Sequence, residues 1–338
     1  MNITISVGVI AILLGCIHAK EDKTSTSEIS GTVSNTVDTL VYSAPQNYSK
    51  TLESSDAANN VEIRNYIDML ELFEKLNYTP EAWQAGIREV PKVYLPVIGE
   101  RWGAGRSNEL TVENKKRLFF RTLAPLILRA NELIMVDRNR LSDIRSSQKK
   151  STAITEEDRS WILKLAKIYK VDAKEGQVTS TLIEALWKKV DIVPVSLALA
   201  QAAEESGWGT SRFAALGNAV YGQWTWGSNA ITPEKQRKEL GNYGIASFET
   251  LQQSICAYMI NLNTHNAYTS LREKRAELTI KSEKITGHML AGQLTKYSER
   301  GEEYVKSLRS LMDYNRLSPT DDAYLSNSPP IYLIPVAE

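Results

Sequence analysis

Apolar residues recur at helical spacing along most of this chain. In "VEIRNYIDMLELFEKLNY" the positions Ile63, Ile67, Leu70, Phe73 and Leu76 fall on one face, so order is expected to begin near residue 61 with a helix. Pro91 and Pro96 then break "REVPKVYLPVIGERWG". A long helix is predicted over "TVENKKRLFFRTLAPLILRANELIMVDR", with Thr111 and Asn114 as caps and the basic stretch Lys115 to Arg121 as a solvated face. The polar run "SSQKKSTAITEED" predicts a loop, after which Trp161 to Tyr169 resumes the helical period. That period holds to about Arg316 and is broken once. Between Gly217 and Gly244, turn residues and aromatics predict a small β-lobe or an irregular flap. The tail "LSPTDDAYLSNSPPIYLIPVAE" is rich in proline and reads as extended. The expected fold is mainly α with a minor β element. A helical N-terminal region (61–150) leads into a compact domain (151–317) and an extended tail (318–338), without internal repeats.

The pattern changes at the N-terminus. "MNITISVGVIAILLGCIHAK" holds about a dozen mostly apolar residues, short for a transmembrane helix and suited to a secretory leader over residues 1–19. Leu13-Leu14-Gly15-Cys16 resembles a bacterial lipobox, in which Cys16 becomes the lipidated first residue of the mature protein; no Lys or Arg precedes it. An ordinary signal cut near Ala19 and an uncleaved anchor are the alternatives. Residues 20–60 follow as a tether, with 14 Ser or Thr between Thr24 and Ser55 and no sustained apolar period. If Cys16 is acylated, Cys256 is left without a disulfide partner, and its apolar helical context reads as structural.

Composition removes several function classes. The 338 residues carry 40 basic and 40 acidic side chains, which leaves no electrostatic footprint for a nucleic-acid binder. The three histidines, His18, His265 and His288, stand in no ligand-like spacing, so neither a metal nor another cofactor is expected.

The chemistry concentrates in "QAAEESGWGTS". Pro194 suits a helix start, and Val195, Leu197, Ala198, Leu199, Ala200, Ala202 and Ala203 make the following helix apolar around most of its circumference, hence buried. Gly207 is placed to cap its C-terminus. Glu204 and Glu205 then share the last turn. The negative helix end, the apolar walls and the neighbouring carboxylate each raise a carboxyl pKa. A carboxyl held protonated near neutral pH is what a glycosidase requires as general acid. On spacing alone, two solvated helix-end charges are the alternative.

"SLALAQAAEESGWGTSRFAALGNAVYGQW" resembles the signature of the glucosaminidase superfamily, glycoside hydrolase family 73, which includes autolysins and flagellar peptidoglycan hydrolases of lysozyme-like fold. "GQWTW", "FETLQQSICAYMINLNTHNAY" and "YSERGEEYVKSLRSLMDYN" are similar to the Bax-type glucosaminidase proteins of Gram-negative bacteria. "VYLPVIGERW" and "ENKKRLFFRTLAPLILRANELI" resemble that group's N-terminal region. The resemblance implies a lysozyme-like α+β catalytic domain with a small β-lobe, acting on peptidoglycan in the cell envelope. It implies Glu205, directly before Ser-Gly-Trp-Gly, as the general acid, with Glu204 as a neighbour that tunes charge or is exposed. Tyr304, in "YVKSL", is the counterpart of a tyrosine implicated in the superfamily, although Arg300-Gly301 stands near it where the superfamily has Asp-Pro. For some members a second carboxylate in the lobe is proposed; the candidates here are Glu234 and Glu239, with Glu239 favoured because it is nearer Tyr243 and "GIASF", and surface charges on a loop are the alternative for both.

Sugar binding calls for flat apolar surfaces with polar rims. Tyr221, Trp224 and Trp226 supply the first close to the acid, and Asn218 and Gln223 the second. Trp208, between two glycines, reads as packing, and Asn218 also suits a structural turn. The expected activity is an endo-β-N-acetylglucosaminidase that cleaves the peptidoglycan glycan strand from a lipid-anchored or secreted position in the envelope. A lytic transglycosylase and a non-catalytic cell-wall-binding protein are the other readings of the same features.

Overall fold

The computed structural model describes residues 60–98, 111–150, 153–228, 230–234, 236, 241 and 243–336. The expected leader, the tether to residue 59, Cys16 and Glu239 lie outside the described residues.

The chain opens differently from the helical reading of its first segment. Asn60–Ile63 is a strand, β1, and the helix α1 begins only at Tyr66–Lys75, where the Asn65 side chain accepts from the amides of Ile67 and Asp68. A short helix α2, Pro80–Gln84, and two short strands, β2 (Glu89–Val90) and β3 (Val93–Tyr94), follow. The partners of these strands come from the far end of the sequence. Strand β8, Ile331–Pro335, lies parallel between β1 and β3, with Val61 opposite Leu333 and Tyr94 opposite Tyr332. Strand β7, Tyr324–Leu325, pairs with β2. The proline-rich tail, expected to be extended throughout, starts with a 3-10 turn at Ser318–Asp322 and only then forms strands, whose ladder bonds tie it to the N-terminal region.

Helix α3 runs from Val112 to Lys149, into the first four residues of the stretch expected to be a polar loop. Thr111 caps it by accepting from the Asn114 amide, and every residue from Arg121 to Leu128 is buried, so α3 crosses the interior. The basic stretch at its start is not a solvated face. Arg121 is buried against the Tyr78 ring, Arg117 pairs with Glu74, and Lys116 lies over the rings of Trp208 and Tyr314. Long cationic side chains cover aromatic surface here because their stems are apolar and their charge is attracted to the ring face.

Helices α4 (Glu156–Ile168), α5 (Ser180–Lys189), α6 (Val195–Ser206) and α7 (Arg212–Gly217) come next. A three-stranded antiparallel lobe interrupts the helices, with β4 (Trp224–Thr225) and β5 (Ala230–Ile231) flanking β6 (Gly244–Ala246). Helices α8 (Leu251–Thr264), α9 (Thr269–Ile280), α10 (Gly287–Ala291) and α11 (Glu302–Tyr314) complete the set. The architecture is mainly α with one small β-lobe. Among the described residues, no helix is long and apolar enough to cross a membrane.

Helix α6 is the axis of this arrangement. Every residue from Val195 to Ala203 is buried, and α3, α10 and α11 pack around it. Its entrance is held from several directions. Asn131 of α3 exchanges two hydrogen bonds with the backbone of Val193, and Asn263 of α8 donates to the Asp191 carbonyl. Arg275 of α9, fully buried, donates to the carbonyls of Asp191 and Ile192. From the tail, Asp321 accepts from the amide and hydroxyl of Ser196 and from the Gly287 amide, capping the starts of α6 and α10 together. Gly287 itself permits this approach, since a Cβ there would collide with Ser196 and Leu197.

Candidate active site

The exit of α6 is built by three successive residues in the left-handed region, Gly207 (φ 56°), Trp208 (φ 63°) and Gly209 (φ 76°). Glycine accepts such angles without strain, whereas Trp208 bears a cost of about 1–3 kcal/mol that its surroundings must offset. They do so by packing. The indole meets Phe119 and Phe120 edge-on, at ring distances of 5.7 and 5.1 Å. Ser206 fastens the turn from below, its hydroxyl donating to the Ala202 carbonyl and accepting from the Gly209 amide at 2.8 Å. The Ser-Gly-Trp-Gly element thus stops the helix sharply and leaves Glu204 and Glu205 at its rim.

The two carboxylates are treated differently. Glu204 receives Arg300 at 2.6 Å and the Ser307 hydroxyl at 3.1 Å, both through Oε1. Glu205 faces inward. Its Oε1 accepts from the Tyr304 hydroxyl at 2.7 Å, and Oε2 lies toward Gly222 at the root of the lobe, where a Cβ on that glycine would be 3.8 Å away. Burial pushes the Glu205 carboxyl up to about 8; the Tyr304 hydrogen bond and Arg300 oppose this, and the Glu204 charge adds to it. The desolvation expected from the apolar helix dominates. Glu205 and Tyr304, named separately from the sequence, stand in direct contact.

Three further residues at this site carried no clear sequence signal. Gln201, one turn before Glu205, joins Tyr304 to Tyr258 inside the core. Arg300 stands near the place where the resemblance implies an Asp-Pro, and that difference was the available clue. Ser307, three residues beyond Tyr304, follows it on the same face of α11.

The expected sugar-binding residues divide. Trp224 stacks on Tyr243 at 4.3 Å with 13° between planes, and Trp226, 56% exposed, meets Trp224 edge-on at 6.5 Å. These form an aromatic surface on the lobe. Gln223 begins the lobe, half-buried, with its carbonyl accepting from the Ala246 amide. Tyr221 offers no groove surface: it is 1% exposed and lies face to face with Tyr258 at 3.7 Å. Asn218 is likewise a buried structural residue. It adopts φ 51° at the end of α7, accepts from the Ile98 amide at 2.9 Å and donates to the carbonyls of Phe248 and Glu249. Both corrections have one cause: a polar side chain closing a turn, or an aromatic ring in a stack, is used up by the fold. Glu234 sits 84% exposed and 3.8 Å from Arg212.

A carboxyl whose pKa burial raises at the end of a buried helix, next to a small lobe faced with indoles on a mainly α frame, is an arrangement that suits a glycoside hydrolase of lysozyme-like fold. The family model for glucosaminidases, described as mannosyl-glycoprotein endo-beta-N-acetylglucosaminidase, matches residues 180–317, from the start of α5 to just beyond α11. The chain is 32% identical over 202 residues to protein bax of Escherichia coli (strain K12), an alignment spanning 60% of this chain and 70% of that relative. It belongs to the glucosaminidase family. No solved structure matches it with significance.

Proposed function

We propose that this protein is an endo-β-N-acetylglucosaminidase that cleaves the glycan strand of peptidoglycan, with Glu205 as general acid. The observation that carries the reading is the Glu205 carboxyl, pushed up to about 8 by burial while one oxygen remains on the lobe side. At neutral pH such a group is protonated and can transfer its proton to the departing glycosidic oxygen. Tyr304 then stabilises the carboxylate left behind, with a donor already in place. Trp224 and Trp226 serve as stacking surfaces for the sugar rings, with Gln223 at their edge.

Glu239 is the residue we assign as second carboxylate, acting as base on the water that attacks the opposite face of the sugar. Product stereochemistry reads this role: inversion supports it, whereas retention points to assistance by the substrate's own N-acetyl group. Cys16 would place the enzyme on a membrane surface of the envelope through its lipid, and metabolic labelling with a fatty acid, lost in Cys16→Ser, tests this.

The test of the activity is digestion of purified sacculi followed by mass analysis of the released fragments. The reading expects free reducing N-acetylglucosamine ends from the wild type and no release by Glu205→Gln. Anhydro-muramyl ends would make the enzyme a lytic transglycosylase, and undiminished release by Glu205→Gln would remove Glu205 from the chemistry.

A further inference from the structure

Beneath Glu205 a line of hydrogen bonds enters the core. The Tyr258 hydroxyl of α8 donates to Gln201 Oε1 at 2.6 Å. Gln201 Nε2 donates to the Tyr304 hydroxyl oxygen at 3.0 Å, and Tyr304 donates to Glu205 Oε1 at 2.7 Å. Gln201, Tyr258 and Tyr304 are all fully buried, so water has no access to complete or reverse the line. Gln201 precedes Glu205 by four residues and shares its face of α6.

The direction of this line has a physical cause. Among the described residues, Gln201 is the hydrogen-bond partner of the Tyr258 hydroxyl. Were the Gln201 amide turned over, its NH2 group would face Tyr258, whose proton would then be buried without an acceptor, an arrangement folded proteins avoid. The turned amide would also present its carbonyl to Tyr304 and draw the phenol proton away from Glu205. The rings cannot swing to compensate. Tyr258 is stacked on Tyr221 at 3.7 Å, and Tyr304 on Tyr297 at 5.4 Å, each with 4° between planes.

We infer that Gln201 and Tyr258 are positioning residues that set the direction of this line, so that Tyr304 always donates to Glu205 Oε1 and the acid carries its own proton on Oε2, the oxygen toward Gly222. A carboxyl whose Oε1 accepts a hydrogen bond holds its proton on the other oxygen. Without that direction, a protonated Glu205 can donate inward to Tyr304 and present a bare oxygen to the substrate. The inference rests on the reading of Glu205 as the acid.

The test uses Tyr258→Phe, the double variant Tyr258→Phe/Gln201→Leu, and Glu205→Gln, each in the full chain. The readouts are the pH dependence of kcat on glycan-strand fragments and the Glu205 titration followed by carboxyl 13C shift, assigned by its disappearance in Glu205→Gln. Tyr258→Phe keeps the ring stack and frees the amide to turn. It is expected to lower kcat by about five- to tenfold and to raise the Glu205 midpoint by roughly half a unit to one unit. In the double variant the competing carbonyl is gone and Glu205 is again the acceptor for Tyr304, so the midpoint returns to the wild-type position. A packing role alone predicts the reverse order, with the double variant further from wild type than the single. That order, or an unmoved midpoint in Tyr258→Phe, overturns the inference. Full activity in Glu205→Gln would instead sink the acid reading, and the 13C midpoints would still report the direction of the line.

Discussion

Replacing Glu205 by Gln is expected to stabilise this protein, and to do so more strongly as pH rises. The Glu205 carboxyl is pushed up to about 8 from an ordinary value of 4.5, mainly by burial. An unfolded chain ionises this group at the lower value. Below about 4.5 both states hold the proton and the group contributes no difference. Between that pH and about 8 the unfolded state has released the proton while the native state keeps it, so native stability falls as pH rises. The full difference of about 3.5 pH units corresponds to roughly 5 kcal/mol at 1.36 kcal/mol per unit. Glu205 keeps some contact with solvent, which makes that figure a ceiling and about half of it the expected effect. Gln matches the side chain in shape, can accept from Tyr304 and does not ionise. The assay is denaturant unfolding of wild type and Glu205→Gln at a series of pH values from 4 to 9. The difference between them is the informative quantity, because Asp137, pushed up to about 6, and Asp321, also raised by burial, titrate in both proteins and cancel. The variant should gain about 2–3 kcal/mol over wild type at pH 9 relative to pH 4. An equal difference at both ends of the range would refute the claim that the fold holds Glu205 protonated.

The pair on the solvent side of the acid should move its titration in opposite directions. Glu204→Gln removes a charge that raises the Glu205 pKa and frees Arg300 from its partner, so the alkaline limb of activity shifts to lower pH; Arg300→Met removes a compensating cation and shifts the limb upward. Pre-steady-state and steady-state rates across pH check both signs. In the core, Asp191 lies between two buried guanidinium groups, Arg138 at 3.2 Å and Arg275 at 3.4 Å. Asp191→Asn leaves those cations uncompensated and is expected to lower stability by about 3–5 kcal/mol, read by denaturant unfolding. On the lobe, Trp224→Ala should raise KM by roughly tenfold with little change in kcat, since a stacking surface binds ground state and transition state alike.

Legibility in the sequence followed the range of the interaction. Helix α6, its Gly207 terminus and the packing role of Trp208 were readable because a helix apolar on all faces and a Gly-Trp-Gly turn are local signals. The mainly α class and the position of the small lobe followed from periodicity and its single interruption. What escaped was set by distant partners. Strand β1 carries an apolar pattern that also fits a helix, and its parallel neighbour β8 begins at Ile331, beyond the reach of any local period. The basic start of α3 looked solvated because the aromatic rings that receive Arg121 and Lys116 lie elsewhere in the chain. Tyr221 was drawn toward the substrate by residue type, whereas a stack with Tyr258 occupies it; for Asn218 the alternative of a structural turn is the one its three hydrogen bonds fit.

The second glutamate shows how the fold separates two carboxyls that sequence alone makes equivalent. Adjacent residues on a helix point about 100° apart, so one of the pair can face the core and the other the rim. Glu205 turns toward Tyr304 and is largely desolvated; Glu204 turns toward Arg300 and Ser307 on the segment leading into α11 and on α11 itself. Both sets of partners come from the same stretch, Arg300 to Ser307, so one element fixes the protonated acid and neutralises its charged neighbour at once. Were Glu204 left without Arg300, its charge would act on Glu205 without the opposing cation and raise its pKa further. Arg300 is thus the charge partner of Glu204. Each makes the other tolerable beside a buried acid, and either one alone would displace the titration on which the proposed chemistry depends.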